Sequence, residues 1–215
     1  MKNKVINSIL ENKIVVIVRG VEKEKLIPLA EAMYAGGIRL LEITYSATNT
    51  PSAEETAECI RALANYFEGR MFIGAGTVLN EKQVELTKAA GGKFIISPDV
   101  NEAVIKKSVE LGLVSMPGAL TPSEITTANR AGADFVKLFP VTTLGLDYVK
   151  AITAPLSHVK LVAVGGINDG NMKDYLNAGV CGFGIGANIV DKKLIAANDF
   201  PAITELAKKF VKACN

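Results

Sequence analysis

Histidine occurs once in this chain and cysteine three times, and no run of like charge is long. With His158 alone and no Asp/Glu/His cluster, the ligand set of a catalytic zinc ion is missing. Cys59, Cys181 and Cys214 are far apart, odd in number and without metal-ligand spacing. They read as reduced thiols in a cytoplasmic protein. A net charge of +2 without a basic run excludes the electrostatic footprint of a nucleic-acid or anionic-membrane binder. The longest strongly apolar runs, such as Ile14–Val18, are far too short to span a bilayer. The opening residues carry Lys2 and Lys4, but Asn7 and Ser8 interrupt the apolar stretch and Glu11 follows it, so no signal peptide is expected. The glycine fingerprint of dinucleotide-binding folds, G-x-G-x-x-G, does not follow the first strand-like run.

What is present is a hydrophobic content of 49% over 215 residues, enough for a substantial core. No composition break suggests a linker, and residues 1–215 read as a single domain. After a leading helix over residues 2–11, one pattern repeats. Strand-like stretches fall at 13–19, 38–43, 71–75, 94–97, 113–116, 135–139, 161–164 and 181–185. Helical stretches separate them, at 22–35, from Thr50-Pro51 to about 67, 80–90, 101–111, from a capping box at Thr121, near 146–153, and 168–178. A short helix and a last one over 200–213 close the chain. Alternation of this kind means parallel strands with right-handed crossovers. Eight units predict a closed (β/α)8 TIM barrel with a leading N-terminal helix, and an open doubly wound sheet is the alternative.

In such barrels chemistry sits at the C-terminal strand ends. Those ends offer Arg19, Glu42, Gly76-Thr77, Ser97-Pro98, Pro117-Gly118, Lys137, Gly165-Gly166 and Gly186. Lys137, among Val136, Leu138 and Phe139, should have a lowered pKa, which makes its amine a nucleophile toward ketones. The alternative is a lysine that snorkels to an ordinary ion pair. Glu42 lies in an apolar strand, where burial raises its pKa and a nearby ammonium lowers it. It suits proton transfer beside an imine, or else a salt bridge to Lys137 across the barrel. The late glycine sets match positions where barrels hold phosphate. Arg19 supplies fixed positive charge for a phosphate or carboxylate, and the Thr77 hydroxyl suits a substrate carboxylate. No metal ligands and no cofactor motif accompany them.

Glu42-Ile43-Thr44, Gly74-Ala75-Gly76-Thr77-Val78-Leu79-Asn80, Ile96-Ser97-Pro98, Pro117-Gly118, Phe135-Val136-Lys137-Leu138-Phe139-Pro140 and Gly165-Gly166-Ile167 together resemble the 2-keto-3-deoxy-6-phosphogluconate (KDPG)/4-hydroxy-2-oxoglutarate (KHG) aldolase family. The resemblance implies a metal-free class I aldolase and a homotrimer of barrels. Its ligands would be a keto acid and an aldehyde phosphate. Lys137 would be the Schiff-base lysine and Glu42 the general acid/base. Thr77 would bind the pyruvyl carboxylate, and Phe139 would pack against the pyruvyl group. Arg19, Gly165, Gly166 and Gly186 would shape the phosphate end. Three positions depart from the gluconate-type pattern: Ser46 stands where an arginine is common, Val164 where threonine is common, and Ala187 where a serine often follows. Val164 resembles the galactonate-type (KDPGal) branch. A phosphosugar isomerase or epimerase, or a non-catalytic phosphosugar-binding barrel, are the competing readings.

Overall fold

The computed structural model describes residues 1–214. Its strands are β1 Ile14–Val18, β2 Leu40–Thr44, β3 Phe72–Gly76, β4 Phe94–Ile96, β5 Val114–Met116, β6 Gly118–Ala119, β7 Val136–Leu138, β8 Leu161–Val164 and β9 Gly182–Ile185. The helices begin with α1 Lys2–Asn12, α2 Lys23–Ala35, α3 Ala53–Tyr66, α4 Glu81–Ala89 and α5 Glu102–Glu110. They continue with α6 Pro122–Arg130, α7 Gly145–Thr153, α8 Met172–Asn177, α9 Lys192–Ala196 and α10 Phe200–Ala213. Among the described residues no helix is long and apolar enough to cross a membrane.

All strand pairs are parallel, in the order β5-β4-β3-β2-β1-β9-β8-β7-β6. The two edge segments, β5 and β6, are one chain path interrupted at Pro117. The Ser97 N–H donates to Met116 O on one side (3.3 Å), and the Lys137 N–H donates to Pro117 O on the other (2.9 Å). The sheet therefore closes on itself as a (β/α)8 barrel, and the open-sheet alternative is set aside. The predicted fifth strand ended at Met116, whereas the structure carries pairing on to Ala119. A Cβ on Gly118 would overlap the Pro98 carbonyl, so glycine is what lets the end of β4 approach there.

Two local expectations need correction. Thr50-Pro51 does not start α3. Its N-cap is Ser52, whose hydroxyl accepts from the Glu55 N–H (3.2 Å) while the Glu55 carboxylate accepts from the Ser52 N–H (2.8 Å). The helix expected from residue 168 begins only at Met172. Asn168 and Asn171 use their side chains to accept backbone N–H groups, from Gly170 (2.9 Å) and Asn168 (2.9 Å), and so make turns in place of the first helical turn. The Thr121–Glu124 capping box at α6 forms as expected.

The pleat decides what faces inward. Val15 and Ile17, Leu40 and Glu42, Phe94 and Ile96, Phe135 and Lys137, and Val162 and Val164 line the barrel interior. The N-terminal end is dry and full: Val5 and Ile9 of α1 pack with Val15, Leu40, Phe94 and Phe135, all at most 1% exposed. A Cβ on Gly74 would overlap the Phe94 ring, so the glycine makes room for it. Lys2 pins α1 through an ion pair to Asp134 (2.9 Å), whose carboxylate also accepts from the Ser115 N–H (2.9 Å). The outward faces of the strands form a second, larger core beneath the helical ring.

Candidate active site

At the opposite end, the interior opens into a cavity of about 380 Å³. Arg19, Glu42, Lys137, Phe139, Val164, Gly165, Gly166 and Gly186 all line it. Thr77 does not line it but is tied to its edge, because the Arg19 Nη2 donates to Thr77 Oγ1 (2.8 Å). The residues singled out from the sequence are thus brought to one mouth by six different strand ends. The sequence reading missed Ile17 and Asn188, which also line the cavity. Ile17 was legible from its alternation with Val15 and Arg19. Asn188 holds the loop after β8 by donating to Ile167 O (2.8 Å), a contact that nothing local announces.

Glu42 is the best-buried charged group of the site, 2% exposed, and its Oε2 has no hydrogen-bond partner among the described residues. Burial raises its pKa from 4.5 to about 7, against the opposing pull of the Lys137 and Arg19 cations. The room for its carboxylate comes from Gly76, where any Cβ would overlap the carboxylate atoms. Lys137 is half-buried at the centre of β7, with its Nζ 4.7 Å from the centroid of the Phe139 ring. Burial lowers its pKa below the usual lysine range; Glu42 opposes that shift and Arg19 adds to it. The alternative of a Glu42–Lys137 salt bridge does not hold: among the described residues the two groups form no contact within 4.0 Å. They line one cavity, and each charge shifts the other's pKa. A carboxyl whose pKa is raised to about 7, beside a lysine whose pKa is lowered by burial, can exchange protons with a substrate in both directions.

Thr77 sits at φ 54°, a left-handed conformation that is a genuine outlier for a β-branched residue. It places the hydroxyl against Arg19 rather than along the strand. Gly165 (φ 97°) and Gly166 (φ 74°) take two successive left-handed conformations, and a Cβ on Gly166 would overlap the Thr142 side chain. The backbone N–H groups of Gly166, Gly186 and Ala187 make no turn or loop bond to another backbone group among the described residues. All three residues line the cavity, where backbone donors of this kind can meet an anion. No helix starts directly after Gly165-Gly166, since α8 begins beyond the asparagine turns. No cluster of three His, Cys, Asp or Glu side chains that could hold a metal ion occurs among the described residues.

Residues 5–206 match the family model described as KDPG and KHG aldolase. The chain belongs to this aldolase family. It is 36% identical to the KHG/KDPG aldolase of Escherichia coli K12, over 95% of this chain and 94% of that protein. It is 31% identical to the 2-dehydro-3-deoxy-6-phosphogalactonate aldolase of the same organism, covering 93% of each. Among solved structures, the KDPG aldolase of Legionella pneumophila, with pyruvate captured as a covalent carbinolamine, superposes with a TM-score of 0.84. That pair is 30% identical and 97% of each chain is covered. Members of the family are lyases, and the glycine-lined mouth described above is the feature of this aldolase that its inward-facing strand residues build.

Proposed function

We propose that this aldolase cleaves a 2-keto-3-deoxy-6-phospho sugar acid, of the galactonate or gluconate series, to pyruvate and glyceraldehyde 3-phosphate through an imine on Lys137. The observation that carries the reading is one cavity holding a lysine with a lowered pKa and a buried, unpaired Glu42 titrating near pH 7. The Lys137 amine adds to the C2 ketone, and loss of water leaves an iminium. Glu42 accepts the C4 hydroxyl proton, the C3–C4 bond breaks, and its electron pair passes into the iminium to give an enamine. The aldehyde departs. Protonation at C3 and hydrolysis then release pyruvate and free the amine. Thr77, with Arg19 behind it, receives the pyruvyl carboxylate, Phe139 packs against the pyruvyl carbons, and the backbone N–H groups around Gly165, Gly166 and Gly186 receive the phosphate. The same machinery accommodates 4-hydroxy-2-oxoglutarate, with glyoxylate as the second product. We place the enzyme in the cytoplasm as a homotrimer; light scattering should return three times the 22.8 kDa chain mass.

Mass spectrometry after incubation with pyruvate and borohydride tests the mechanism. A stable adduct on Lys137 is expected, unaffected by a chelator, because the iminium is itself the electron sink. An isomerase, or a binding barrel without catalysis, yields no adduct.

A further inference from the structure

A second cavity of about 480 Å³ adjoins the catalytic one, and the two share Ile17, Arg19, Gly186 and Ala187 in their walls. The outer compartment adds Asp191, Lys192 and Lys193. We propose that this compartment completes the seat of the substrate's far anionic group, and that Lys192 is the residue that reads its charge. The proposal rests on the aldolase reading and names a specificity-determining residue for it.

The argument begins with charge. A phosphate monoester carries about −1.5 to −2 at pH 7. In the catalytic cavity Lys137 must be neutral to attack, and the glycine-rich wall offers backbone dipoles but no full charge. Arg19 is the remaining cation there, and its Nη2 is already committed to Thr77. The side chain of Ala187 provides no donor. A second cation therefore has to come from beside Gly186 and Ala187, and the outer compartment supplies it. Among the described residues, neither Lys192 nor Lys193 forms an ion pair. Nearby Lys25 is occupied, donating to Asn198 Oδ1 and Ile195 O. The acidic residue of the compartment, Asp191, turns its Oδ1 to the start of α9, where it accepts from the Lys193 and Leu194 N–H groups (2.7 and 3.1 Å). Lys192 also borders the groove beyond, with Gly20, Glu22 and Lys25, so its stem lies along the rim between the two spaces. An ammonium on a flexible stem at the rim can follow an anion into the shared space.

The test compares kcat/KM for a 2-keto-3-deoxy-6-phospho sugar acid and for the same acid without its phosphate, in wild type, Lys192→Ala and Lys192→Arg. Hydrogen bonds to charged groups support an expected loss of roughly 10- to 100-fold for the phosphorylated substrate in the alanine variant, mostly in KM. The unphosphorylated acid should be used equally by all three proteins, and arginine should restore most of the loss. Competitive inhibition by inorganic phosphate should weaken in parallel, while pyruvate trapping on Lys137 stays intact. Equal losses for the two substrates, or no loss for either, overturn the role of Lys192 and leave the aldolase standing. A wild type that forms no pyruvate adduct removes the aldolase reading and the subsite together.

Discussion

At the N-terminal end of the barrel interior, Phe94, Phe135, Leu40 and Val15 fill the space so completely that Gly74 must lack a side chain to admit one ring. At the C-terminal end, two residues further along the same strand, Gly76 again lacks a side chain, but what it admits is the Glu42 carboxylate. One glycine makes room for packing and the other for a charge. The first arrangement gains from every apolar contact; the second leaves Glu42 Oε2 unpartnered and carries a standing desolvation cost. Stability accounts for the lower end. The upper end makes sense as a place where protons and a covalent bond change hands.

Substitutions can break this division, and the largest effect belongs to Lys137. Lys137→Ala and Lys137→Arg should both abolish turnover in a steady-state assay, because arginine stays protonated and cannot add to a ketone. Substantial activity in the arginine variant would assign the residue an electrostatic role instead. Next comes Glu42→Gln, expected to lower kcat by roughly 10²–10⁴-fold with pyruvate trapping retained and the activity limb near pH 7 removed. Its stability has a predicted sign. The folded state keeps the Glu42 proton up to about pH 7 against an ordinary 4.5, so that contribution is complete below pH 4.5 and lost as pH rises to about 7. Urea unfolding should show wild type losing about 3 kcal/mol relative to Glu42→Gln between pH 4.5 and pH 8. A parallel pH dependence in both proteins would place the proton elsewhere.

The lower end should answer in the opposite currency. Phe94→Ala is expected to cost roughly 3–5 kcal/mol in denaturant unfolding, with kcat of the folded fraction close to wild type. A selective loss of kcat would show that packing at the floor sets the geometry of the mouth. The smallest effect concerns Val164, 5% exposed on the cavity wall. Valine cannot pair with a substrate hydroxyl, and an unpaired buried hydroxyl costs roughly 1–3 kcal/mol. The galactonate epimer should therefore be used at least as well as the gluconate epimer, and Val164→Thr should shift the kcat/KM ratio toward gluconate by about 10-fold. A wild type strongly selective for gluconate, unchanged by threonine, would show that Val164 does not set the choice.

Local chemistry explains which features could be read from the chain. The β-branched run Ile14–Val18 announces a strand covered on both faces, and Lys137 and Glu42 stand out because charge is costly in such runs. The pairing of β6 beyond Pro117 was hidden, since a proline reads as a stop unless the partner strand is known. The asparagine turns before α8 were hidden because the same residues serve equally well as caps. The Arg19–Thr77 bond joins strand ends 58 residues apart. The empty volumes kept by Gly76 and Gly166 exist only once a neighbour from another strand or loop is in place.

α1 lies across the lower end of the barrel, fastened by Lys2 to Asp134 and backed by buried phenylalanines. The chamber is therefore a blind alley, entered and left past Gly165, Gly166 and Gly186. In a blind alley, order of arrival fixes order of departure. On the mechanism proposed above, the keto-acid end goes in first, to the depth of Lys137, and the aldehyde stands behind it nearest the exit. The aldehyde must leave before pyruvate does, so pyruvate is the last product out and competes with the incoming sugar acid for the same floor, whereas the aldehyde does not.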